Sequence, residues 1–99
     1  MERQDAVTAA PKNYRVRLDN DKVRVLESHL EPGERTELHS HPACVVITLD
    51  DHKLRFTGPD GQSQEVALKG GDVTWFDSVT HASEKIDTVE VRDIIVELK

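Results

Sequence analysis

The chain has 99 residues, 36% of them hydrophobic and 4% aromatic, and its 13 basic and 19 acidic side chains leave a formal net charge of −6. That acidity argues against nucleic-acid binding, no apolar run approaches the roughly 20 residues of a membrane-spanning helix, and the lone cysteine, Cys44, demands no oxidising compartment. A single cytoplasmic domain is expected, with a core thin enough that a metal or a second subunit would add to its stability.

Residues 1–13, "MERQDAVTAAPKN", lack the positive flank and apolar stretch of a signal peptide. They read as an N-terminal arm, ordered only where something holds it. Residues 14–99 read as one domain of short strands. "YRVRL" alternates Tyr14, Val16 and Leu18 against arginines, and "DND" at 19–21 turns the chain. "KVRVLESHL" alternates and then stops at Pro32-Gly33. "RTELHSH" leads through Pro42 into the β-branched run "CVVITL". "DDH" at 50–52 reads as a hairpin turn with His52 exposed; "KLRFT", the turn "GPDG" and "QSQEVAL" follow. "KGG" at 69–71 precedes "DVTWF", where Trp75 and Phe76 fill core or an interface. The last segment, "TVEVRDIIVEL", shifts phase: Val89 and Val91 share one face, and Ile94, Val96 and Leu98 the other. A β-bulge near Arg92–Asp93, or burial on both sides, would produce that shift. Helical periodicity is absent, so the expected class is all-β, an antiparallel sandwich or barrel.

His39 and His41 stand two apart in an extended segment, which points both to one side of a strand. The spacing suits a metal and equally an exposed pair on an edge strand. Each half of the chain, however, carries a turn glycine, a strand and then histidine: Gly33 before His39 and His41, and Gly71 with "DVTWF" before His81. Packed together, such units would bring three neutral imidazoles into a barrel mouth, an arrangement that suits a catalytic divalent ion with open positions. His29 shares a strand face with Glu27, the one carboxylate placed to serve as a general acid or base in a pocket.

Gly33, His39 and His41 fit the pattern G-x5-H-x-H-x3–4-E up to its glutamate, and Gly71-Asp72, "VTWF" and His81 are similar to G-x5-P-x-G-x2-H. On these residues the chain resembles the cupin superfamily over positions 14 to 98, in particular short stand-alone bacterial cupins with a P-G-x5-H-S-H-P signature. It departs from the pattern at Val45 and Val46, where the glutamate would fall, and at Asp77 and Val79, where proline and glycine would stand. The resemblance implies a single small antiparallel β-barrel (double-stranded β-helix, jelly-roll type) and a homodimer. It also implies one divalent transition metal (Fe, Zn, Ni, Cu or Mn) held by His39, His41 and His81. Cys44 would serve as a fourth ligand or stand beside the metal in the missing glutamate's place. Two functions follow from it: a mononuclear metalloenzyme of the three-histidine dioxygenase type acting on a small organic substrate, or a non-catalytic cupin that binds a small molecule or a metal.

Overall fold

Among the residues described by the computed structural model, 5–87 and 91–99, nine strands follow one short helix, α1 (Ala6–Ala9). The strands are β1 (Tyr14–Asp19), β2 (Val23–Leu30), β3 (His39–His41), β4 (Cys44–Thr48), β5 (His52–Thr57), β6 (Ser63–Leu68), β7 (Val73–Phe76), β8 (Val79–Lys85) and β9 (Val91–Leu98). Every strand pairing is antiparallel, in a five-stranded sheet of order β1-β2-β9-β4-β7 and a four-stranded sheet of order β3-β8-β5-β6. The two sheets face each other as a flattened barrel. Turn chemistry fixes the ends of the strands. Asn20 Oδ1 accepts from the backbone N–H groups of Lys22 and Val23 at 2.8 and 2.9 Å, an Asx turn. Gly71 turns with φ +92°, a conformation other residues resist, and its N–H donates to the Thr48 carbonyl at 2.7 Å, tying the loop to β4.

Register arranges the inward side chains of the larger sheet in rows across β2, β9 and β4. Arg24, Glu97 and Cys44 form one row; Leu26, Ile95 and Val46 the next; Ser28, Asp93 and Thr48 the third. The core gathers on the first two rows: Tyr14, Leu26, Cys44 and Ile95 bury with Ala6 and Ala10, and Val7, Val46 and Phe76 pack against them. Residues 5–13 are therefore held by the barrel itself. Asp5 forms an isolated bridge to Ser40, between the two histidines of β3, and its carboxylate bonds Arg24 at 2.5 Å.

The phase shift in the last strand has a cause other than a bulge. β9 keeps one register with β2 from Val91 to Leu98 and with β4 from Asp93 to Glu97. Asp93, Ile95 and Glu97 face in and are buried, whereas Ile94 and Val96 face out. Val89 lies outside the described residues. The outward pair continues an apolar surface through Val25, Val45 and Ile47 to Val73 and Trp75 on the edge strand β7, of which the last two are 68% and 52% exposed. Trp75 thus stands outside the core, while Phe76 packs against it. Val16 and Leu18 are exposed as well: β1 is an edge strand, and a register shift after Val16 sets Leu18 opposite the outward Val25.

Candidate metal centre

His39 pairs directly with His81 across β3 and β8, and His41 follows two residues along β3 on the same face. The period-two alternation of β3 therefore aims both of its imidazoles inward, at the one from β8. Ring centroids are 4.9 Å apart for His39–His41 and for His39–His81, and 5.6 Å for His41–His81. One nitrogen from each lies within 4.8 Å of the others. Phe56 stacks on the His81 ring at 4.7 Å and 11°, which fixes its plane.

Neighbours set the tautomers of the β3 pair. His39 Nδ1–H donates to the Glu37 carbonyl at 2.8 Å, which leaves Nε2 as the lone pair; that atom accepts the Tyr14 hydroxyl at 2.9 Å. His41 Nδ1–H donates to Glu97 Oε2 at 2.7 Å, which leaves its Nε2 free for the centre. The other Glu97 oxygen takes Arg24 Nε at 2.8 Å and Nη2 at 2.7 Å, and Arg24 reaches on to Asp5. A carbonyl or carboxylate behind a ring is the usual support of a metal-ligating histidine. Burial, helped by repulsion from His41, lowers His39 to about 4. Burial and the two neighbouring rings lower His81 to about 3. Both stay neutral at ordinary pH, the form that ligation requires, and protons compete for them only well below the usual histidine range. The donor set fits one divalent ion.

Three solved structures resemble this chain in fold. A cupin-domain protein from Bordetella pertussis Tohama I is 27% identical, with a TM-score of 0.80 over 100% of this chain and 98% of that one. The chain belongs to the cupin superfamily. An RmlC-like cupin family protein with a double-stranded β-helix fold from Methanocaldococcus jannaschii is 14% identical, with a TM-score of 0.66 over 86% of this chain and 77% of that one. The polyketide cyclase RemF from Streptomyces resistomycificus is 20% identical, with a TM-score of 0.64 over 98% and 70%. These last two share the fold. No protein-family model and no curated protein matches the sequence.

Two expectations need correction in this cupin. His52 is not a solvated turn residue: it begins β5, alternates inward with Leu54 and Phe56, and is 3% exposed. Glu27 is not a pocket carboxylate. The inward face of β2 is Leu26, Ser28 and Leu30, so Glu27 and His29 fall on the outer side, where Glu27 pairs with Arg17 and Arg92. Cys44 lines the same cavity as His41 and His81, but the converging nitrogens are those of the three histidines. Burial, with the Glu97 charge nearby, pushes its thiol up to about 11. Sequence reasoning missed Tyr14, Arg24 and Glu97. The signal for Glu97 was present in "IIVEL", where the acidic residue alternates with the apolar ones.

The buried rings make stability depend on pH. The unfolded chain protonates these two histidines near 6.5 and the folded, metal-free protein only near 4 and 3, so in that window the unfolded state binds more protons. Their contribution is complete above about 6.5 and drains away as pH falls, by up to about 1.4 kcal/mol per pH unit for each ring. Urea unfolding of metal-free protein between about pH 7.5 and 5 should show that decline, with a shallower slope in His81→Asn; equal slopes would contradict it.

Glu97→Gln keeps an acceptor for His41 but removes its charge, and Arg24→Leu leaves the Glu97 carboxylate buried with one partner fewer. Zinc affinity, read by competition with a chromophoric chelator, should fall by about 10–100-fold in Glu97→Gln. Arg24→Leu should also lose about 3–5 kcal/mol of stability. Wild-type zinc affinity in both variants would show that this relay does not tune the histidines.

Proposed function

We propose that the protein is a metal-binding cupin whose centre, His39, His41 and His81, holds one divalent transition metal and acts in oxygenase fashion on a small organic anion. The observation that carries the reading is the convergence of three inward imidazoles; two have their Nδ1–H groups already committed, and two, His41 and His81, line a cavity. A bound metal would supply Lewis acidity and open positions for substrate and co-reactant.

The chain's own groups divide the remaining tasks. Tyr14 keeps its phenolic proton, because burial raises its pKa, and so serves as a hydrogen-bond donor beside the centre. Cys44 stays a neutral thiol and is no nucleophile. Phe56, Phe76 and Val79 wall the cavity and exclude water. The cavity is narrow, about 50 Å³, which favours a small substrate. The likeness to the Streptomyces protein, at 20% identity, is one of fold and carries no cyclase chemistry to this chain. A cytoplasmic location belongs to the same reading, since the single thiol needs no oxidising compartment. Among the described residues no helix is long and apolar enough to cross a membrane.

Iron(II)-loaded protein offered small thiols, β-diketones and hydroxy acids should consume oxygen with at least one of them. Uptake and bound metal should both disappear in His41→Ala. Metal binding without oxygen uptake from any compound would retire the oxygenase reading and favour a binding cupin, in which a small molecule raises thermal stability without being consumed.

We also propose that a second copy covers the apolar outer sheet around Val45, Val96 and Trp75, since one chain leaves that surface in water. Light scattering should give twice the 11.2 kDa chain mass, and Trp75→Glu should give the monomer. A wild-type monomer across the micromolar range would refute the dimer.

A further inference from the structure

The cavity has a second polar end that the histidine centre does not use. Asp93 lies four residues before Glu97 on the same face of β9, about 13 Å away along the strand. Its row neighbours are Ser28 on β2 and Thr48 on β4, and His52 meets it from the opposite sheet, with Nε2 at 3.0 Å from Oδ2 and 3.2 Å from Oδ1. Asp93, His52 and Ser28 line the cavity together with His41 and His81. Between the two polar ends runs an apolar belt of Ile95, Val46, Leu54 and Phe56.

This end is buried and incompletely satisfied. The His52 side chain is wholly enclosed, yet its Nδ1 has no hydrogen-bond partner, and neither has the buried Thr48 Oγ1. Buried polar atoms are nearly always paired, so two unpaired ones in a single cluster mark a place where something else binds. The buried Lys85 ammonium likewise has no hydrogen-bond partner; it ion-pairs with Asp87 and is attracted by the Asp93 charge. Asp93 lines the cavity as a hydrogen-bond acceptor, close to the unpaired His52 Nδ1 and Thr48 Oγ1.

We propose that Asp93, positioned by His52 and flanked by Ser28 and Thr48, is a second binding subsite that receives a hydroxyl or protonated amine on the tail of a short-chain carboxylate. The proposal rests on the metal-centre reading, which supplies the place for the carboxylate head. A ligand of this class has two polar ends and a short hydrocarbon middle, matching the polar, apolar and polar succession of the rows.

The test uses zinc-loaded, full-length protein and calorimetric titration with butyrate, γ-hydroxybutyrate and γ-aminobutyrate. Wild-type protein should bind one of the two substituted acids about tenfold more tightly than butyrate. Asp93→Asn should abolish the preference while leaving butyrate affinity and zinc content unchanged. Thr48→Val, nearly isosteric, should reduce the preference and supplies the test if Asp93→Asn does not fold. Equal binding of all three acids by wild-type protein would overturn the subsite and leave the metal centre standing, as would a full preference in Thr48→Val beside a misfolded Asp93→Asn. Failure of the protein to take up zinc would overturn the metal-centre reading, and the subsite with it.

Discussion

The buried carboxylate of Glu97 is the group on which the geometry of the centre depends. A charge that is 2% exposed persists only where partners fill its lone pairs, and removing one partner of such a pair costs about 3–5 kcal/mol. Here the partners arrive from three separate parts of the chain: His41 from the opposite sheet, Arg24 from β2, and Asp5 of the arm through Arg24. One side chain therefore sets the tautomer of a histidine, joins the two sheets at that end and engages the N-terminal arm. It does so from β9, whereas the family pattern would place a glutamate just after the histidines. Glu97 bonds Nδ1 of a histidine, so the centre itself is left to three imidazole nitrogens.

Filling the interior with such groups has a structural cost. Of the three inward rows on the larger sheet, only the middle one is wholly apolar. Rows with Glu97 and Asp93 occupy positions that would otherwise add hydrophobic burial, which explains why a chain of this length has so small a core and leaves valines and a tryptophan on its outer face. The apolar belt is kept where it separates the two polar ends and lowers the dielectric between them, which strengthens each set of hydrogen bonds.

The class of fold and the three-histidine cluster were legible in the sequence because both rest on local signals. Turn residues punctuate strands of regular length, and an i, i+2 histidine pair stays on one face however the sheets pack. The polar interior was not legible, for a physical reason. Alternation tells which residues share a face and not which face is inside, and in "RDIIVEL" the apolar set is the outer one. His52 was misread by a single residue of boundary: a strand that begins at position 52 rather than 53 carries its first side chain into the barrel. Tyr14 and Arg24 carried no motif, since their roles arise from contacts with residues far away in the chain.

Tyr14 shows how the centre is kept satisfied without an ion. Its hydroxyl donates to Nε2 of His39, the very lone pair a metal needs, while Nδ1 of that ring is held by the Glu37 carbonyl. Three clustered imidazoles would otherwise leave a buried acceptor unpaired, at a penalty of about 1–3 kcal/mol. The rings of His39 and His81 are also held neutral by burial, so neither adds a buried positive charge that opposes folding at ordinary pH. The fold can therefore form first and take a metal afterwards, unlike small domains that are unfolded without one. An ion taken up here would require Tyr14 to release His39, and the freed hydroxyl would stand beside the centre as a donor.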